Sequence, residues 1–181
     1  MSTSRTRVLW LSTVAFTLLF AVWLMLGMLA LKLKPDLSLS DAQLYNLTIA
    51  AILAGSLLRF HFGVWTDQFG GRRVMTALLL LTVIPTYLVS RVTSYYELLG
   101  CACLYGVAGN AFSVGIAWNA AWWPRERQGF ALGVFGAGNV GASVTKLVGP
   151  VLIAALPAAG LLGGWLPGGW RFIPVAYSVL L

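Results

Sequence analysis

Charge is scarce in this chain. Only 9% of its 181 residues are Asp, Glu, Lys or Arg, where a soluble domain carries about a quarter. A water-facing surface of ordinary polarity is thereby excluded. Cysteine is scarce too: Cys101 and Cys103 are the two present, and they stand two apart inside one apolar run. On a helix they point to nearly opposite faces and cannot pair with each other. No CxxC or His/Cys cluster occurs, and the lone His61 has no recognisable ligand partners, so no metal is expected. The five acids, Asp36, Asp41, Asp67, Glu97 and Glu126, all fall in loops or near span ends. No nucleophile–base pair, phosphate loop or cofactor motif is present. Neither an enzyme nor a cofactor is expected. The net charge of +7 does not indicate nucleic acid, because the basic residues are spread over loops and helices without forming a patch.

Apolar residues are what the chain has in abundance. They make up 59% of it, and the mean hydropathy is +0.85. A bilayer crossing takes about 20 residues of helix, and the runs are long enough. The expected fold is an all-α polytopic membrane protein, with the lipid bilayer as its surroundings. Its spans are expected at about 8–31, 41–65, 74–90, 98–122 and 129–156, with an incomplete sixth at about 170–181. The first run is too long for a signal-peptide core and is read as a retained helix. Ser40 suits the N-cap of span two, and Pro85 suits a kink in span three. A Gly/Pro-rich turn, PAAGLLGGWLPGG, precedes Trp170 and Arg171.

The ten residues after Arg171 rise about 15 Å against a hydrocarbon core of about 30 Å. Span six is therefore expected to stop in mid-membrane. No internal repeat is visible, so the chain reads as one half of a larger object, either a fragment or a half whose remainder is encoded elsewhere. Loop charge gives the orientation. With the N-terminus inside, six basic residues lie inside (Arg5, Arg7, Arg72, Arg73, Arg125, Arg127) and four outside (Lys32, Lys34, Arg91, Arg171). Trp10, Trp65, Tyr95, Tyr96, Trp122, Trp123, Trp165 and Trp170 lie near span ends and fit interfacial belts.

The most unusual stretch is Gln128 to Pro150, QGFALGVFGAGNVGASVTKLVGP, with six glycines. Glycine inside a helix costs roughly 1 kcal/mol against alanine. In a membrane the compensation is close approach of backbones. At helical spacing Gly129, Gly133 and Gly136 share one stripe. Gly138, Gly141, Thr145 and Gly149 lie on or near a second. Phe135, Asn139 and Lys146 lie on a third, with Ser143 at its edge. Two readings stand. One is tight helix–helix contact alone. The other is a helix packed closely on two sides that presents Asn139 to a central cavity.

Two further constellations carry charge. Gly63 to Arg73, GVWTDQFGGRR, joins spans two and three. Asp67 near a helix C-terminus is electrostatically unfavourable alone, and Arg72 and Arg73 are candidate cations for it. By charge alone the same loop also reads as a topogenic one. Arg59 stands eight residues before Asp67, about 12 Å up the helix and inside the hydrocarbon. An arginine there is a functional hypothesis by default, set against one that snorkels to the interface. Gly55, Ser56, Ile52 and Thr48 are placed on its face, which suits a cavity wall. Its guanidinium stays charged and matches two oxygens of a planar oxyanion at once.

The loop from Gly63 to Arg73 resembles the loop-two-to-three motif of the major facilitator superfamily, with Gln68 where a basic residue is frequent. The stretch AGNAFSVGIAWNAAWWPRERQGFALGVFGAGNVGASVTK resembles the nitrate/nitrite porter (NarK-type) family within it, above all through GAGNVGAS. The resemblance covers essentially the whole chain. It implies the N-terminal six-helix half of a twelve-helix major facilitator fold in the inner (cytoplasmic) membrane of a bacterium, moving nitrate and/or nitrite by alternating access. Nitrate/nitrite antiport and proton-coupled uptake both stand. The implied partners are the anion and a C-terminal six-helix half. Arg59 would clamp the anion, Asn139 would stand near it, and Phe112 would wall the site. Gly136 and Gly138 would flank the substrate. With Gly133 and Gly141 they would let the fifth helix slide or pack closely. Gly63, Asp67, Arg72 and Arg73 would form the gating loop.

Asn110 and Asn119 read equally well as interhelical hydrogen bonders. Lys146 reads as positive potential in the outer approach, or as a snorkelling or interhelical residue. The alternatives to the whole reading are a carrier for another small solute and a six-helix subunit that transports nothing, including a homodimer of this half.

Overall fold

In a computed structural model the described residues are 3–157, 160 and 166–181. Most of the turn between spans five and six, with Trp165, lies outside them. The apolar runs are helical throughout, because backbone polar groups in hydrocarbon must be satisfied within the segment. Among the described residues, five helical stretches are long and apolar enough to cross a membrane: Thr3–Asp36, Asp41–Phe69, Gly71–Val89, Tyr95–Trp122 and Arg125–Ala155. The helices begin and end several residues beyond the apolar runs at most ends, because helical pairing continues into polar residues. A further helix covers Phe172–Leu180. Among the described residues the regular structure is helical, as expected of an all-α polytopic membrane protein.

Four of the long stretches are interrupted. Span one is α1 (Thr3–Trp23) and α2 (Met25–Asp36), parted at Leu24. Span two is α3 (Asp41–Leu57) and α4 (Arg59–Phe69), parted at Leu58. Span three is the single helix α5 (Gly71–Val89). Span four is α6 (Tyr95–Tyr105) and α7 (Ala111–Trp122), joined by a 3₁₀ turn over Gly106–Asn110. Span five is α8 (Arg125–Gly136) and α9 (Val140–Ala155), joined by a 3₁₀ turn over Ala137–Asn139. The last helix is α10 (Phe172–Leu180). None of the four breaks is at a proline. Pro85 and Pro150 sit within α5 and α9. Glycine accounts for two of the breaks, since Gly106, Gly109 and Gly138 lie in the 3₁₀ turns.

Spans one and four form the centre of the half. Span two packs on span four, span five packs on span one, and α10 packs on α5. Two clusters divide the core along its length. One surrounds Leu29, Leu33, Leu47, Leu98 and Tyr105. The other surrounds Phe16, Leu19, Leu78, Val114 and Phe135. Span two buries a narrow stripe, Leu47, Ala51, Gly55, Phe62 and Thr66, at helical spacing.

The two ends of the bundle are held differently. At the end carrying Asp36, its Oδ2 accepts from Trp170 Nε1 at 3.1 Å and from Arg171 Nη1 at 3.0 Å. Arg171 Nη2 donates to the Val92 carbonyl at 3.1 Å, and its guanidinium lies 4.4 Å from the Trp170 ring centre. This clamp joins the end of span one, the turn before span four and the start of α10. Ser40 and Gln43 form a reciprocal capping box at the start of α3, as expected of that N-cap. Trp170 is buried in the clamp and Trp123 is buried in the core, so neither serves as an interfacial belt residue. At the opposite end, Gly70 turns the chain with φ +83°, a left-handed value that favours glycine. A Cβ on Gly71 would fall on Trp118 of span four. That contact, more than the turn, requires the second glycine.

Candidate functional site

Glycine decides where the spans meet. A Cβ on Gly55 would lie 2.8 Å from the Gly106 carbonyl oxygen, and one on Gly106 would lie 2.6 Å from that of Ala51. Spans two and four thus touch backbone to backbone. Trp23, at the break in span one, fills the space that Gly109 leaves: a Cβ there would lie 2.6 Å from its indole. Its Nε1 donates to the Ala51 carbonyl at 3.1 Å. One indole therefore keys spans one, two and four together. Span five meets span one in the same way. A Cβ on Gly141 would fall on the Thr17 carbonyl oxygen, one on Gly138 would lie 2.6 Å from the Phe16 ring, and one on Gly149 would lie 2.5 Å from Met28. Thr145 is buried on this stripe and shares a short hydrogen bond with the Tyr177 hydroxyl.

The stripe of Gly138, Gly141, Thr145 and Gly149 is thus the packing face. The stripe of Gly129, Gly133 and Gly136 is not: a Cβ on any of them would meet nothing within 4 Å. Span five is packed closely on one side of this half, not on two. Gly138 belongs to that packing side, against Phe16 and Thr17. The third stripe divides. Phe135 is fully buried, while Asn139, Ser143 and Lys146 are exposed.

Phe112 is half-buried in a group of aromatic rings. Its centroid is 5.7 Å from Phe16 and 6.1 Å from Phe135, and Phe16 stacks on Phe135 at 4.7 Å. Gly115 makes room for the Phe135 ring. This group joins spans one, four and five. The sequence marks Phe112 and, on the third stripe of span five, Phe135; Phe16, Trp23 and Gly106 sit in apolar runs where nothing distinguishes them. Asn119 is an interhelical hydrogen bonder: its Nδ2 donates to Ser12 Oγ at 2.8 Å and to the Gly115 carbonyl at 2.9 Å. Asn110 donates only locally, to the Val107 carbonyl.

Arg59 and Asn139 share a structural position. Arg59 is the first residue of α4, directly after the break at Leu58, and Asn139 closes the 3₁₀ turn of span five. Both are exposed from the half. The ion pairs among the described residues are Lys34–Asp41 and Arg171–Asp36. Arg59 and Lys146 take part in neither. On span two, Thr48, Ile52 and Ser56 share the exposed side with Arg59, whereas Gly55 is on the buried side. The half therefore presents two polar open stripes, one on span two and one on span five, on helices that flank the central pair. An unpaired arginine at the membrane interior is costly unless it meets water, an anion or a partner. At the other end, Asp67, Arg72 and Arg73 are exposed, and neither ion pair includes them. Gly63 has open space where a Cβ would be.

Residues 11–181 match the family model described as Major Facilitator Superfamily. A probable nitrate/nitrite antiporter, NarK1 of Thermus thermophilus, is 63% identical over 98% of this chain and 40% of its own length. The nitrite extrusion protein of Bacillus subtilis is 29% identical over 90% of this chain and 38% of its own length. A probable nitrate/nitrite transporter, NarK2 of Mycobacterium tuberculosis, is 36% identical over 78% of this chain and 35% of its own length. The chain spans about two fifths of the length of these curated relatives. It belongs to the Major Facilitator Superfamily, on the branch of the NarK-type porters.

Proposed function

We propose that this chain is the N-terminal half of a carrier that moves nitrate and/or nitrite across the bacterial inner membrane by alternating access, and that it catalyses no reaction. The observation that carries this reading is Arg59: an arginine within span two, at a helix break, on an open polar stripe, with no ion-pair partner. A planar oxyanion satisfies it through two N–H groups at once. The names of the relatives supply the anion class, nitrate and nitrite. Asn139 stands at the equivalent break of span five and offers an amide donor. Phe112, with Phe16 and Phe135, gives an apolar wall against which a weakly hydrated anion is favoured over a strongly hydrated one.

The N-terminus lies in the cytoplasm, by the excess of basic residues at the Asp67 end. There Gly63, Asp67, Arg72 and Arg73 form a gating loop. Being unpaired within this half, Asp67 and the two arginines are free to pair across to a second half and hold one end of the carrier shut. The halves then rock about the bound anion, while the Asp36–Arg171–Trp170 clamp keeps the outer end of this half rigid.

Competition tests the substrate class. In membrane vesicles containing the full-length protein, uptake of labelled nitrate is expected to fall strongly with nitrite or chlorate at tenfold excess. Lactate or glucose at the same excess is expected to leave it unchanged. Inhibition by the organic acid and not by nitrite assigns the half to a carrier of a different solute.

A further inference from the structure

A groove of about 420 Å³ runs between the end of span three and the start of span four. It lies at the Asp36 end of the bundle, on helices other than those with the open polar stripes. Leu88, Arg91, Tyr96, Glu97, Gly100 and Leu104 line it, and all six are exposed. Its volume suits a small-molecule ligand. Tyr96, Gly100 and Leu104 recur every four residues on α6, so the groove follows that helix for about 12 Å toward the bilayer centre. A Cβ on Gly100 would meet nothing within 4 Å. This glycine makes no packing contact in the half, and its missing side chain keeps the groove open. The lining grades from charged at the mouth to apolar at depth.

The charges at the mouth are opposite, yet they do not meet. The ion pairs among the described residues include neither Arg91 nor Glu97. Each is held by a neighbour instead. Arg91 Nε and Nη2 donate to the Tyr87 hydroxyl at 3.2 and 3.0 Å, and the guanidinium lies 5.6 Å from the Tyr87 ring centre. Nη1 is left without an acceptor among the described residues. Glu97 Oε2 accepts from the Thr93 N–H at 2.8 Å and from the Thr93 hydroxyl at 3.2 Å. Oε1 is left without a donor among the described residues. An occupant that satisfies both side chains carries an anion and a cation close together. To fill the rest of the groove it also carries an apolar tail. A soluble zwitterion would leave the length beside Gly100 and Leu104 empty. A guanidinium meets phosphate oxygens well, and a carboxylate meets a primary ammonium. A phosphate, an ammonium and an acyl chain occur in that order in one kind of molecule at a membrane surface.

We propose that this groove binds one phospholipid of the phosphatidylethanolamine type. Its phosphate sits on Arg91, its ammonium on Glu97, and one acyl chain lies along Gly100 and Leu104. The site stands apart from the transport reading and from the identity of the carried anion. The lipid ties the end of span three to the start of span four. It does so beside Val92, whose carbonyl accepts from Arg171, and so reinforces the clamp at the Asp36 end.

Native mass spectrometry of the purified full-length protein tests the site, with dioleoyl phosphatidylethanolamine, phosphatidylcholine and phosphatidylglycerol as probes at equal concentration. Phosphatidylethanolamine is expected to be retained several-fold more than either of the others. The trimethylated ammonium of phosphatidylcholine cannot donate to Glu97, and phosphatidylglycerol carries no cation. Arg91→Gln and Glu97→Gln are each expected to lower phosphatidylethanolamine to the phosphatidylcholine level. Glu97→Gln keeps an oxygen for the Thr93 donors, so the turn is preserved. Gly100→Leu fills the groove and is expected to reduce all three lipids. Melting temperatures in lipid-free detergent that match the wild type show the variants to be folded. Added phosphatidylethanolamine is then expected to raise the melting temperature of the wild type and not that of Arg91→Gln. Equal retention of the three lipids by the wild type, or retention of none, overturns the proposal. So does a preference for phosphatidylethanolamine that survives in both charge variants. Phosphatidylglycerol retained above phosphatidylethanolamine removes the ammonium contact, and the proposal with it.

Discussion

Gly106→Val and Gly141→Val are each expected to destabilise the half by about 3 kcal/mol or more, and to abolish its accumulation in membranes. The reason is what each side chain would strike. At Gly106 it is the Ala51 carbonyl oxygen, at 2.6 Å, and the Ala51 Cα, at 3.0 Å. At Gly141 it is the Thr17 carbonyl oxygen and carbon. These are backbone atoms of neighbouring helices. They cannot rotate aside as a side-chain tip can, so the helices must part. Parting spans two and four also withdraws Gly55 and Gly109 from Trp23, whose indole hydrogen bond to Ala51 is then lost. Gly133→Ala and Gly136→Ala are the contrast. A Cβ at either meets nothing within 4 Å, and alanine is the better helix former by about 1 kcal/mol. Thermal unfolding of the detergent-solubilised full-length protein, followed by size-exclusion chromatography, reads both outcomes. A valine at Gly106 that melts like the wild type contradicts the packing described here. Gly133→Ala or Gly136→Ala that unfolds the protein places those glycines in a contact with the other half.

Arg59→Gln is expected to lower nitrate transport about 100-fold, with little change in thermal stability. A charged hydrogen-bonding group holding an anion contributes about 1.5–3 kcal/mol, and a loss of about 100-fold corresponds to the upper end of that range. Stability is spared because Arg59 takes part in neither of the two ion pairs and is exposed from the half. Arg59→Lys is expected to recover only a minor part of the activity. An ammonium restores the charge but not the planar fork that meets two oxygens. Initial rates in vesicles, beside the melting temperature, give the result. Full activity in Arg59→Lys reduces the residue to a source of potential, and full activity in Arg59→Gln removes it from the pathway.

The sequence was legible where it departs from an apolar background. Arg59 and Asn139 stood out because charge and amide are rare in a membrane span, and both lie at helix breaks on open stripes. The stripe from Gly138 to Gly149 was readable because four small residues recur at helical spacing, and it is the face that meets span one. What was not legible depended on a partner helix. Gly55 lies in span two, and Gly106 and Gly109 lie in span four; each matters because another span's backbone or the Trp23 ring lies against it. Gly133 and Gly136 carry the same local pattern as Gly138 and Gly141, yet their side of span five faces open space. Periodicity sorts residues into faces but does not say which face has a neighbour. Pro85 shows the converse. It stands out in the sequence, yet it sits inside an unbroken helix, while the breaks fall at Leu24, Leu58 and two glycine-containing turns. The clamp at the Asp36 end was hidden for the same reason: Asp36 and Arg171 stand 135 residues apart.

Nitrate counterflow tests the central claim most directly. Proteoliposomes containing the purified full-length protein are loaded with nitrite and diluted into labelled nitrate. The account predicts saturable nitrate entry well above protein-free vesicles, abolished in Arg59→Gln and retained in Gly133→Ala. Entry that is equal in wild type and Arg59→Gln, or no entry above protein-free vesicles in a protein that remains folded, would contradict it.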